Sequence, residues 1–202
     1  MSDWDADSSQ LQANLARALT AALKHAQGRR APTPGLARAW HSQILKDLRA
    51  PNPAYVGVFR GEAGLKHLGV HVAYCWGVQP SAVRDAVKEF IGDLVGALAM
   101  LDKEIPAGSL PETGDALEAV LTTAALAHAK WAEIHPFANG NGRTARLWAN
   151  WVLMRYSIPP LVTLRPRPAG DAYVNAARRA LCDGDYEPTI ALFFRLFDEF
   201  ES

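Results

Sequence analysis

The sequence predicts a mainly α-helical fold, and three observations carry that expectation. Apolar residues recur at three- and four-residue steps along most of the 202-residue chain, the spacing of helices with one buried face. Capping residues and prolines stand where those runs begin and end. Only the stretch 51–79 breaks the pattern, with prolines and glycines separating short β-prone pieces.

The first helix follows Asp7-Ser8-Ser9, where Leu11, Leu15, Ala18, Leu19, Ala22 and Leu23 keep helical spacing and Gly28 is the expected stop. Pro32-Thr33-Pro34-Gly35 then breaks the chain before a second helix over 36–48, with Trp40, Ile44 and Leu48 on one face. His41 has no ligand partner at helical spacing, so core packing is expected of it rather than metal binding. In the β-prone stretch, 55–59 and 68–74 are expected to pair as a hairpin, and Val70-His71-Val72 alternates as an edge strand does.

Pro80-Ser81 opens a long helix carrying Val83, Val87, Phe90, Ile91, Leu94, Leu98 and Leu101. After a loop over 106–114, Asp115 and Glu118 resemble a capping box. They lead into an alanine-rich helix with Leu117, Val120, Leu121, Ala124, Leu126 and Trp131. Its end carries Glu133, which either orients His135 or, as is usual for a carboxylate at a helix end, is solvated, and delivers His135 to a tight turn. In the helix beyond the turn, Leu147, Trp151 and Met154 form the expected buried stripe, with Arg143, Arg146 and Asn150 on a separate polar face. Ile158-Pro159-Pro160 ends it, and two helices over 172–182 and 189–200 complete the chain.

Chemically capable side chains concentrate in IHPFANGNGRTARLWANW, residues 134–151. Gly140 and Gly142 bracket Asn141 and let several backbone N–H groups face one point without a Cβ in the way. Those donors meet the N-terminus of the following helix, where unpaired N–H groups and the helix dipole favour an anion. Arg143 and Arg146 project from nearly the same face, and planar guanidinium forks suit phosphate oxygens better than lysine does. His135 is near enough to act as general base on an attacking hydroxyl. The constellation predicts a nucleotide phosphate attacked in line.

HPFANGNGRTAR resembles the signature loop of the Fic family, His-Pro-Phe-x-(Asp/Glu)-Gly-Asn-Gly-Arg-x-x-Arg, and departs from it at one specified position. The resemblance implies a Fic-type helical bundle with a small β-hairpin flap, and transfer of AMP from ATP to a Ser, Thr or Tyr hydroxyl of a target protein. Carried over by residue, His135 deprotonates the hydroxyl, and Gly140, Asn141 and Gly142 form the anion hole. Arg143 and Arg146 hold the outer phosphates, and Phe137 anchors the loop. Val70, His71 and Val72 fall in the flap that binds the target by strand addition. The family's terminal helices border the base, which brings Tyr173 and Tyr186 near adenine, although both also read as core residues. The phosphate-transferring Doc branch carries lysine where this chain has Gly142.

The departure is Asn139, which stands where the family carries its acidic Mg²⁺ ligand. An amide oxygen brings no charge, so Mg²⁺ is expected to be weakly held and activity reduced. The alternatives are transfer of another phosphate-linked group, such as UMP or phosphocholine, and a degenerate nucleotide-binding module without turnover. The family's inhibitory motif, Ser/Thr-x-x-x-Glu-Gly/Asn, is absent from the sequence. Restraint is then expected from a small antitoxin that supplies the glutamate, or from Asn139 itself.

The length suits one substantial core. The expected division is an N-terminal helix and linker over 1–35 and a Fic-like catalytic domain over 36–202. A formal net charge of +0 without a basic stripe argues against a nucleic-acid partner. No apolar run nears the roughly 20 residues that span a bilayer, and the acidic opening, Asp3, Asp5 and Asp7, is unlike a signal peptide. A cytoplasmic protein is therefore expected. Cys75 and Cys182 are the two cysteines; two reduced thiols are expected, with a disulfide as the alternative.

Overall fold

In a computed structural model of the chain, residues 7–72 and 74–202 are described. Among them are seven α-helices and one short antiparallel hairpin. Asp3 and Asp5 lie outside the described residues. The helices are α1 Ser9–Gln27, α2 Pro34–Ile44, α3 Val83–Glu104, α4 Gly114–Ile134, α5 Asn141–Arg155, α6 Asp171–Asp183 and α7 Glu187–Glu201.

Helix α5 is the centre of the bundle. It packs against α4, α1 and α2, while α3, α6 and α7 close around α4. The expected division of α5 into an apolar and a polar face does not hold, because every residue from Arg143 to Arg155 is buried. Its polar side chains therefore find partners inside the protein. Asn150 donates to the Val162 carbonyl at 2.7 Å and accepts from the Val162 N–H at 3.2 Å. Arg155 pairs with Asp102 of α3 at 2.6 Å. Around these, Trp148 meets Trp40 and Trp151 edge-on at 4.6 and 5.5 Å, with Trp131 tilted at 5.7 Å. Burial of each such ring contributes on the order of 2–3 kcal/mol.

Local chemistry sets the helix ends. Ser8 and Thr33 cap α1 and α2 by accepting from Leu11 and Leu36 N–H, each at 3.1 Å. The second helix stops at Ile44, short of the expected Leu48. There the buried Asn14 of α1 takes over its end, donating to the Ile44 and Lys46 carbonyls at 3.3 and 2.6 Å. At the start of α4 the cap is Thr113, which accepts from Ala116 N–H at 3.1 Å, and not the Asp115 box read from the sequence.

The hairpin also differs from expectation. Strand β1, His71–Val72, pairs antiparallel with β2, Cys75–Trp76, in the register His71 to Trp76 and Val72 to Cys75. The segment 55–59 is not its partner: Asn52 and Pro53 open a 3-10 turn over Pro53–Tyr55, in which the Asn52 side chain accepts from Ala54 N–H at 2.9 Å. Nor are the cysteines free thiols. The fold lays β2 beside α6 and brings Cys75 and Cys182 to a Cα–Cα distance of 5.3 Å, where they form a disulfide, well inside bridging range. Among the described residues no helix is long and apolar enough to cross a membrane.

Candidate active site

Helix α4 ends at Ile134, and His135 caps it in the left-handed region, at φ +52°. A residue with a side chain is uncommon there. Its Nδ1 lies 3.0 Å from the Ala132 carbonyl. A carbonyl only accepts, so Nδ1 carries the proton and Nε2 holds the free lone pair. Burial pushes the imidazole below its ordinary value against the pull of the Ala132 bond, and the Arg60 cation pushes the same way as burial. His135 is thus a neutral base at pH 7.

The turn after it is braced from within. Phe137 is fully buried and stacks on His41 with ring centroids 3.7 Å apart. His41 spends both ring nitrogens on main chain: Nε2 bonds the Asn139 carbonyl at 2.9 Å and Nδ1 accepts from Gly57 N–H at 2.9 Å. Burial holds its pKa down at about 4. The Asn141 side chain closes a pair with Phe137, accepting from its N–H at 2.8 Å and donating to its carbonyl at 2.9 Å. Core packing was the sequence expectation for His41; that it also buttresses a turn nearly a hundred positions away had no sequence signal.

Gly140, at φ +77°, precedes the first turn of α5. Its carbonyl receives the N–H groups of both Arg143 and Thr144 at 3.1 Å. The N–H groups of Asn141 and Gly142 come too early in the helix to have an intrahelical acceptor, and Gly142 is exposed. They stand as donors at the positive end of the helix dipole.

A cavity of about 610 Å³ opens at this point, lined by His135, Gly142, Arg146, His128 and Tyr173 among others. Arg146 is buried and held at both ends of its fork, donating to the Tyr173 hydroxyl at 2.9 Å and the Leu164 carbonyl at 2.7 Å. The same hydroxyl hydrogen-bonds His128 Nε2 at 2.9 Å. Arg165, Arg167 and Arg178 add further positive charge to the walls. None of these three, nor His128, was singled out from the sequence; the Arg165-Pro166-Arg167 alternation was the available signal.

The predicted site residues therefore divide. His135, Gly142 and Arg146 share the cavity. Arg143 is buried against Gly140 and His41. Tyr173 lines the cavity, whereas Tyr186 bonds Glu133 elsewhere, so Glu133 is not simply solvated. In the hairpin, His71 is exposed and meets Trp76 edge-on at 5.1 Å, and the Val70 carbonyl accepts from Gly77 N–H at 3.0 Å. Val72 enters through its backbone pairing with Cys75.

Resident Mg²⁺ does not fit the donors present. Asn139 offers one neutral amide oxygen, and that oxygen already accepts from Gly140 N–H at 2.6 Å. Among the described residues no group of three or more His, Cys, Asp or Glu could hold a metal.

The central turn of the helical bundle thus gathers a neutral imidazole, the main-chain donors of a helix N-terminus and a clamped guanidinium. The chain belongs to the Fic/DOC family, whose model matches residues 32–153. It is similar to the protein adenylyltransferases Fic of Nematostella vectensis, 44% identical over 73 residues, and of Drosophila grimshawi, 38% identical over 95. Those matches cover 36% and 47% of this chain but only 16% and 19% of the relatives. The fold is shared with a Fic-domain signaling protein of Bacteroides thetaiotaomicron, at TM-score 0.66 and 22% identity over 94% of this chain and 68% of the other. It is also shared with the effector BepC of Bartonella tribocorum with bound AMPPNP, at TM-score 0.61 and 13% identity over 94% and 87%.

Proposed function

We propose that the chain is a protein adenylyltransferase, moving AMP from ATP to a Ser, Thr or Tyr hydroxyl of a target protein. The observation that carries this reading is the Nδ1 bond of His135 to Ala132, which commits Nε2 to accepting a proton beside Gly142 and Arg146. The names of the relatives support the same class.

In this reading the target oxygen bonds to the α-phosphorus while its proton passes to His135 Nε2. The bond from that phosphorus to the leaving oxygen breaks, and pyrophosphate departs. Gly140, Asn141 and Gly142 provide the anion hole, with N–H donors of Asn141 and Gly142 receiving charge as it builds. Arg143 and Arg146 offset the outer phosphates. The hairpin strand Val70, His71 and Val72 presents an edge to the target segment. The catalytic unit is taken as 36–202, with 1–35 as N-terminal helix and linker, in a cytoplasmic setting. A small antitoxin would restrain the enzyme by offering a carboxylate to Arg146.

Asn139 favours one second reading, a nucleotide-binding module without turnover. Incubation of the purified chain and a cell lysate with labelled ATP, UTP or CDP-choline separates them. Label from ATP on protein, lost in His135→Ala, supports adenylyl transfer. Label from UTP or CDP-choline instead reassigns the transferred group. No label from any donor, even with Asn139→Asp, overturns the enzyme reading.

A further inference from the structure

Arg60 is 1% exposed, and its partners among the described residues are all main-chain carbonyls. Its Nε donates to His135 at 2.7 Å and Nη2 to Ile134 at 3.0 Å. These are carbonyls at the end of α4, which the helix itself leaves unpaired. Nη2 also reaches Val78 at 2.8 Å and Nη1 reaches Leu68 at 3.3 Å, one on each limb leading into the hairpin. Its own N–H donates to the Pro136 carbonyl at 2.8 Å. A single buried guanidinium is thus bonded at once to the His135 turn and to both feet of the hairpin.

Gly77 supplies an independent sign of the same junction. A Cβ placed there would lie 2.7 Å from His135 Cβ, 3.1 Å from Arg60 Nη2 and 3.4 Å from the Ile134 carbonyl. The hairpin foot sits against His135 so closely that no side chain larger than hydrogen fits. Nothing in the transfer chemistry needs a cation at this depth, since Arg60 does not line the cavity with His135 and Arg146. A buried cation without a carboxylate is costly to keep unless its hydrogen bonds are satisfied, and here four main-chain carbonyls on two separate elements accept from it. The cation also complements the negative end of α4.

We infer that Arg60 is a positioning residue for the transfer proposed above, holding the target-facing hairpin and the His135 main chain in one fixed relation. His135 occupies the left-handed region at φ +52°, a conformation that a residue with a Cβ keeps only where the surrounding structure holds it. Arg60 imposes it, and the same side chain sets where a bound hydroxyl would arrive. Neither contact alone would align base and target; the shared guanidinium does.

The test uses the full chain and the variants Arg60→Gln, Arg60→Lys and Gly77→Ala. Amide hydrogen exchange is followed in the segments around Leu68, Val78 and 132–138, with α7 as the reference. In Arg60→Gln both hairpin limbs and the His135 turn exchange roughly tenfold faster together while α7 does not. Arg60→Lys, with one nitrogen in place of three, recovers only part of the protection. In the transfer assay kcat falls roughly a hundredfold, the cost of misplacing reacting groups by about 1 Å, and KM for ATP stays within about twofold. Loosening of one junction alone, or of α7 equally, overturns the inference. Should Arg60→Gln not fold, Gly77→Ala decides: it leaves the guanidinium in place, and an undisturbed His135 turn would refute the coupling. A wild-type chain that transfers nothing would defeat the adenylyltransferase reading, whereas the paired exchange response would still stand or fall by itself.

Discussion

The Tyr173 hydroxyl accepts from Arg146 Nη1 at 2.9 Å and lies 2.9 Å from His128 Nε2, so α6 holds the guanidinium of α5 in place from across the cavity. Arg146 thereby enters the site with its fork already oriented, before any phosphate arrives.

Tyr173→Phe deletes that hydroxyl and leaves polar groups on Arg146 and His128 without their partner. The expected loss is about 1–3 kcal/mol of stability, read from the urea midpoint. A midpoint unchanged from wild type would show that the hydroxyl does not hold Arg146.

His135→Ala should lower transfer by a factor on the order of 10²–10⁴. In the wild type, burial places the imidazole below its ordinary 6.5, so the base is already deprotonated at neutral pH. The acid limb of the pH–rate profile should therefore fall below 6.5, and a limb at or above that value would contradict the geometry.

His41 and His128 are held neutral, at about 4 and about 3, chiefly by burial. Their folded values lie below the unfolded 6.5, so between these limits the unfolded chain binds more protons and stability falls as pH falls. The loss should begin near pH 6.5 and reach on the order of 3 kcal/mol per histidine by pH 4. Asp102 acts later: burial raises it, but the Arg155 and Tyr156 hydrogen bonds and the Arg29 cation hold it below the usual carboxylate range. A melting temperature flat from pH 7 to 4.5 would exclude this account.

Asn139→Asp restores a carboxylate at the turn and should raise Mg²⁺-dependent transfer. An unchanged rate, in an assay where His135→Ala is silent, would remove the metal argument.

The Cys75–Cys182 bond closes a loop of 107 residues, so Cys75→Ser or reduction should cost about 2–5 kcal/mol. Thiol counting on the unfolded chain, before and after dithiothreitol, establishes how much of the protein carries the bond. Equal stability with and without it would show that the hairpin and α6 stay together unaided.

The helices and the motif were legible because both are written locally, in apolar periodicity and in a run of adjacent residues. What was not legible depends on pairs far apart in sequence. The burial of Arg143, Arg146 and Asn150 follows from α1, α2 and α4 covering α5, which the pattern of α5 alone does not carry. His41 finds Asn139 across 98 positions, and Cys75 finds Cys182 across 107. The hairpin differs from expectation because 71–72 pairs with the nearby 75–76 and an Asn-Pro turn at 52–53 removes the segment 55–59 from strand geometry. Nothing around Arg60 in the sequence announces its four carbonyl partners.

Helix α5 is enclosed along most of its length, and Gly142 is its one exposed residue. That residue shares the cavity at the turn with His135 and Arg146. Substitutions beyond Arg146 should then be felt as changes in melting, while those from Gly142 to Arg146 should be felt in turnover, so that one continuous element separates endurance from chemistry along its own axis.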